Sequence, residues 1–255
     1  MGIPEDLKPN DNADDEPPAE FLLGIGYQNQ RKYKKAAESF LIAAEKGHAG
    51  SQYHLGRLYY DGVGMDIDEE EAYKWFLKAA EQGDRDSQFM LGHMYEQGLT
   101  TGMSYEKAFE WFKRSADNGH VGAMMNIGYM YAAGMGTEQS YEKAFECYMS
   151  AAEKQDPYAQ YSVGNLYLTG MGVDRSDEKA VEWYEMAVYN RLSEVEQLLK
   201  DLKDGYTLDD LPYLTDNETG VILAVMTEFG EYYYGFCGED LFFRDDEEEE
   251  DDEMD

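Results

Sequence analysis

One glycine returns along this chain at Gly56, Gly92, Gly128 and Gly164, each 36 residues after the last. The phrase around it is Leu55-Gly56-x-x-Tyr59, Leu91-Gly92-x-x-Tyr95, Ile127-Gly128-x-x-Tyr131 and Val163-Gly164-x-x-Tyr167. A second series keeps the same step: Ala36, Ala72, Ala108, Ala144 and Ala180. A fixed period of this length constrains a chain to a solenoid, in which each unit buries its apolar face only against its neighbours. Such an array works by offering an extended concave surface, so the expected function is binding, and the ligand is left unnamed.

Residues 50–83 read as one helical hairpin. Leu55, Leu58 and Tyr59 share one face of the first helix at helical spacing. Gly56 lies inside that helix, where glycine costs about 1 kcal/mol against alanine. Its return in every copy implies that a neighbouring helix passes too close for a side chain. The loop Asp61-Gly62-Val63-Gly64-Met65 then turns the chain. Asp68 is placed to cap the second helix, and Ser104, Ser140 and Ser176 take that position in later copies. Glu70, Glu106, Glu142 and Glu178 follow in the first turn, where the helix dipole favours an acid. Ala72, Trp75, Phe76, Ala79 and Ala80 form the packing face, and Gly83 ends the helix, as Gly47 and Gly119 do. Cys147 stands in the slot held by Trp75, Trp111 and Trp183.

These positions identify a family resemblance. Leu-Gly-x-x-Tyr, then Gly-x-Gly, then Lys-Ala-x-x-Trp-x-x-x-Ala-Ala-x-x-Gly resembles the Sel1-like repeat, an α/α solenoid family related to the tetratricopeptide repeats. The likeness covers residues 20–191. The third loop departs from it, because Gly98 and Gly102 bracket Leu-Thr-Thr, and Gln155 and Arg191 replace the terminal glycine. The first copy, Leu23-Gly24-x-x-Tyr27 with Ala36, has a hairpin loop four residues shorter and is closer to a tetratricopeptide unit. The resemblance implies an all-α, right-handed solenoid of five hairpins, in units of about 20–48, 49–84, 85–120, 121–156 and 157–191. It also implies an adaptor that assembles complexes.

The ends have a different character. Residues 1–19 are acidic, polar and proline-bearing, and read as disordered. Residues 192–203 carry apolar side chains at 192, 195, 198, 199 and 202, an amphipathic helix able to cap the last repeat. Residues 205–218 read as a linker. Residues 219–243 are rich in β-branched and aromatic residues with glycine breaks, so 205–244 is expected to dock as a non-repeat segment. Residues 245–255 read as an acidic disordered tail.

The net charge is −33, and about half of it lies in residues 205–255. That balance argues against a direct grip on nucleic acid, which needs basic patches. It fits solubility or a basic partner. The chain begins without a secretory pattern and has no apolar stretch of about 18 residues, so no membrane insertion and a cytoplasmic setting are expected. Two cysteines, Cys147 and Cys237, do not make a disulfide framework. Oligomeric state is not readable.

Catalytic chemistry finds little footing. His48, His54, His93 and His120 match no metal-ligand spacing, so no metal and no cofactor are expected. Cys147 reads as a core thiol. Gly62-x-Gly64 joins two helices, whereas dinucleotide loops follow a strand. No nucleophile, base and orienter converge, so no enzyme is expected. The first helices remain. In tetratricopeptide-like hairpins these line the groove, which places there Phe21 and Ile25, then Tyr53, Arg57, Tyr60 and Asp61. Phe89, His93 and Glu96 follow, then Met125 and Tyr129, then Tyr161, Asn165 and Leu168. The same side chains could instead pack between helices. The leading expectation is a protein-binding scaffold gripping a peptide or protein segment, preferably basic, in that groove. The alternative is an acidic immunity protein or antitoxin that neutralises a basic toxin or nuclease; a hydrolase is a distant third.

Overall fold

The structure, a computed structural model, describes residues 17–100 and 102–207. The expectations for residues 1–16 and 208–255, including the docked segment and the acidic tail, lie outside it. Among the described residues eleven α-helices follow in order: α1 (Ala19–Asn29), α2 (Tyr33–Glu45), α3 (Ala49–Asp61), α4 (Glu69–Glu81), α5 (Arg85–Gln97), α6 (Tyr105–Asp117), α7 (Val121–Ala133), α8 (Tyr141–Ala152), α9 (Pro157–Thr169), α10 (Asp177–Tyr189) and α11 (Glu196–Lys203). There is no strand among the described residues. The fold is all-α, of the α/α repeat solenoid class. The chain divides into two compact units, one ending at Ser150 and one beginning at Ala151.

The helix starts are set locally. Asp68 accepts a hydrogen bond from the Glu71 amide at 2.9 Å, and Ser104, Ser140 and Ser176 accept from Lys107, Lys143 and Lys179 at 3.3 Å. Each cap amide in turn donates to a tyrosine carbonyl of the preceding helix. Asp68 bonds Tyr59, Ser104 bonds Tyr95, Ser140 bonds Tyr131 and Ser176 bonds Tyr167. The repeated tyrosine thus marks where the loop is tied down, and these backbone groups are not left unpaired.

The repeated glycine has a definite physical cause. A Cβ at Gly56 would lie 2.8 Å from the Phe76 ring, and at Gly92 2.6 Å from the Phe112 ring. At Gly128 it would lie 2.5 Å from the Tyr148 ring, and in the second unit the pair is Gly164 with Tyr184. The close neighbour is an aromatic ring of the same hairpin's second helix, lying where the Cβ would be. Gly24 meets Phe40 in the same way, although α1 and α2 are joined by the shorter loop.

Gly47, Gly83 and Gly119 follow their helices in the left-handed region, at φ +95°, +92° and +85°. Gln155 and Arg191 hold that conformation without being glycine, at φ +65° and +76°. A non-glycine residue there costs about 1–2 kcal/mol, and glycine's extra unfolded-state freedom returns ~0.4–1 kcal/mol. Gln155→Gly is therefore expected to raise stability by about 0.5 kcal/mol, read from the midpoint of a urea titration.

Between hairpins a polar latch repeats that the sequence alone does not announce. Buried Gln52 donates to the Ala44 carbonyl at 3.0 Å and accepts from Gln82 at 2.7 Å. Gln88 donates to the Ala80 carbonyl at 3.1 Å and accepts from Asn118 at 2.9 Å. In the second unit Gln160 accepts from Asn190 at 2.9 Å. A buried amide satisfied on both sides stabilises the register of the stack. At the equivalent position of α7 stands Met124.

The second unit closes its own apolar end. Leu192, Val195, Leu198 and Leu199 are buried with Tyr161, Leu168, Ala180, Tyr184 and Ala187. The amphipathic pattern of residues 192–203 therefore does cap the last hairpin, as a short 3₁₀ turn (Ser193–Val195) leading into α11.

Candidate functional site

In the first unit, α3 turns four candidate side chains to one face. Arg57 bonds the Asp61 carboxylate through Nε at 3.1 Å and through its terminal nitrogen at 3.0 Å. The same guanidinium donates to the Tyr53 hydroxyl at 3.2 Å. The i, i+4 spacing of 53, 57 and 61 on a helix makes this ladder possible. All three side chains are half-buried. Burial by itself would lower the Arg57 pKa, but Tyr53 and Asp61 outweigh it and raise the pKa, so the guanidinium stays charged. Tyr60 sits on the Phe76 ring with centroids 6.4 Å apart, and burial followed by the Asp61 charge raises its hydroxyl pKa. The result is an aromatic and charged patch whose side chains hold one another in place.

Neighbouring first helices extend it. The Glu96 carboxylate of α5 is close enough to α7 to raise the Tyr129 hydroxyl, after burial as the larger cause. The Asp86 carboxyl of α5 feels the Arg57 charge, although burial dominates and raises it. In α1, Phe21 and Ile25 are half-buried, packed against the core around Phe40 and Leu55.

Six other candidates lie inside the protein. Phe89 and Met125 are 2% and 6% exposed, and Phe89 packs on Phe112 with centroids 5.4 Å apart. His93 is buried as well. In the second unit Tyr161 packs against Tyr184, Leu168 is fully buried, and Asn165 accepts a 2.6 Å hydrogen bond from the Tyr184 hydroxyl. The position two residues before Leu-Gly faces its own second helix and supplies packing. It offers no contact area at Phe89, Met125 or Tyr161, and only the Tyr53 hydroxyl end reaches the Arg57 ladder. The Asp61 carboxylate is already paired with Arg57.

Two of the histidines, which sit at equivalent ends of their hairpins, are helix caps. The Nδ1 atoms of His48 and His120 cap α3 and α7, accepting from the Ser51 amide at 3.1 Å and the Ala123 amide at 3.0 Å. Asp84 and Asp156 cap α5 and α9 in the same register. The available signal was the alternation His48, Asp84, His120, Asp156 at 36-residue steps. Cys147 is half-buried, and burial pushes its thiol up to about 11, which keeps it protonated and poorly nucleophilic. Among the described residues no group of three or more His, Cys, Asp or Glu is placed to hold a metal, and no helix is long and apolar enough to cross a membrane.

The chain's likenesses agree with this architecture. The Sel1 repeat model matches residues 49–84, 85–120, 121–156 and 157–190. A Sel1 repeat protein from Oxalobacter formigenes is similar in structure, with a TM-score of 0.69 and 28% identity over 80% of this chain and 86% of that one. A protective antigen present in uropathogenic Escherichia coli strains, described as displaying an SLR fold, has a TM-score of 0.70 and 29% identity over 77% of this chain. The match spans 44% of the antigen. An exopolysaccharide production negative regulator of Rhizobium leguminosarum bv. viciae is 44% identical over 55 residues, 21% of this chain and 20% of the regulator. The chain thus spans about a fifth of that relative and under half of the antigen. Sel1 repeat proteins are generally non-enzymatic scaffolds for protein interaction. Four matched repeats, together more than half of the sequence, establish that this chain belongs to the Sel1 repeat family.

Proposed function

We propose that this protein is a binding scaffold that holds a basic and apolar segment of a partner protein against the α3, α5 and α7 side of its first unit. The observation that carries the reading is the Tyr53–Arg57–Asp61 ladder with Tyr60 beside it. Half-buried aromatic groups held in one rotamer give flat contact area at low entropic cost. Glu96 adds negative charge beside Tyr129. The net charge of −33 favours a basic partner and speeds its approach.

The test begins with cross-linking and pull-down of full-length protein from its native cell, followed by rate measurements on the identified partner. Tyr60→Ala and Tyr129→Ala are each expected to weaken binding by about 2 kcal/mol, roughly thirtyfold, with helix content unchanged. Tyr189→Ala, at a side chain 87% exposed on α10, serves as the control and is expected to leave affinity unchanged. Affinity within about twofold of wild type for both first-helix variants would show that the partner sits elsewhere.

A further inference from the structure

The first unit contains a cavity of about 360 Å³ between α6, α7 and α8, where Ala116, Met124, Ile127, Tyr131 and Cys147 meet. The internal repeat says what belongs there. Trp75 is 8% exposed and shares a buried cluster with Ala44 and Leu55, with Tyr59 packed against it. Moved on by two repeats, those four positions are Cys147, Ala116, Ile127 and Tyr131, and all four line the cavity. The hollow is therefore the slot for an indole, left empty by a cysteine.

Two more substitutions open the same place. Lys78 lies over the Trp75 ring at 3.7 Å and Arg114 over the Trp111 ring at 4.5 Å. The equivalent residue in α8 is Ser150, too short to cover a ring. Gln52 and Gln88 latch their hairpins, but Met124 replaces that amide here with a flexible apolar side chain. Exposed Lys113 stands at the rim, and Lys143 already lies over the Tyr131 ring, 5.2 Å from its centroid, with Asp117 and Glu146 beside them. Ammonium groups complement the electron-rich face of an aromatic ring, and carboxylates complement an indole N–H or a neighbouring cation. An apolar hollow with a polar rim is how interfaces seat an aromatic anchor.

We infer that this notch is a receptor for one tryptophan side chain presented by a partner protein segment. It uses α7 residues different from Met125 and Tyr129, so it stands independently of the face proposed above. The bound ring would complete the packing that Trp75 makes within its own chain.

The experiment titrates methyl-labelled full-length protein with two probes, indole and N-acetyl-tryptophanamide, and follows the Met124 and Ile127 methyl signals by NMR. Both probes are expected to give saturable shifts. Cys147→Trp should weaken both by about tenfold or more and raise the melting midpoint by about 2–4 °C, since it fills the slot from within. Cys147→Ala enlarges the slot and should bind both probes at least as well as wild type, which keeps the test valid if the tryptophan variant fails to fold. Several results would overturn the inference. These are unsaturable shifts, equal binding by a folded Cys147→Trp, or weaker binding by Cys147→Ala. Binding of indole without the amide would also overturn it, by assigning the notch to a small molecule. So would nuclear Overhauser contacts, in the absence of probe, between these methyls and the chain's own aromatic residues 219–243.

Discussion

Gly128→Leu is expected to destabilise the protein by about 2–3 kcal/mol and to lower the melting midpoint by roughly 5–10 °C. The clash begins at the first added atom, because a Cβ would lie 2.5 Å from the Tyr148 ring. Tyr148 is 4% exposed and cannot swing into solvent. Overpacking a dense core costs about 1–3 kcal/mol or more, and the better helix propensity of leucine returns less than ~1 kcal/mol. The paired control is Gly26→Ala, also within a helix, where no atom lies within 4 Å of the added Cβ. That change should be neutral or stabilise by up to about 1 kcal/mol. Calorimetry of both variants decides the matter. Equal melting midpoints for Gly128→Leu and wild type would mean that ring contact is not what excludes side chains from the repeated glycine.

The second large effect is on acid stability. His120 stacks on Phe89 with centroids 4.4 Å apart and caps α7 through an unprotonated Nδ1. Burial first, and the Arg85 charge second, lower its pKa from 6.5 to about 4. The contact with Asp86 at 3.6 Å is accordingly not an ion pair at neutral pH. Between about pH 4 and 6.5 the unfolded chain holds a proton on this ring that the folded protein rejects. The contribution of His120 is thus fully present above pH 6.5 and is lost as pH falls toward 4. Its size is about 3 kcal/mol, from some 2.5 pKa units at 1.36 kcal/mol each. Asp84 and Asp86, raised by burial, change with the opposite sign as pH falls, so the comparison must be between variants. Asparagine is a good helix cap that does not titrate. Urea midpoints for wild type and His120→Asn should diverge from pH 7 to pH 4.5, the wild type falling more steeply. Parallel curves would remove His120 as the source.

The parts of this protein that were legible in advance are those governed by neighbours along the chain. Asp68, Ser104, Ser140 and Ser176 could be placed as caps because a cap is a bond between a side chain and an amide three residues on. The apolar series from 192 to 202 announced a capping helix because helical periodicity is a local property. The histidine caps escaped notice because histidine seldom serves as one, and only the backbone angle at the α3 and α7 entries turns Nδ1 toward the amide.

The candidate site divides along the same line. A residue's place in the 36-residue register is sequence information, and it placed Tyr53, Arg57, Tyr60 and Asp61 on one helical face, where Arg57 bonds Tyr53 and Asp61. Whether such a face looks outward is settled by how a first helix is rotated against its second helix. That rotation sends Phe89 onto Phe112 and Tyr161 onto Tyr184, while Tyr60 and Tyr129 stay accessible.

By itself, then, the sequence determined the repeat, its period, its helix ends and its family, because each is written in spacing and local chemistry. Only the tertiary structure decided what the repeated glycine touches, which aromatic side chains are core, and that a hollow lies beside Cys147. These depend on residues distant in sequence, such as Gly24 and Phe40 or Gly128 and Tyr148, being brought into van der Waals contact, which no local rule specifies.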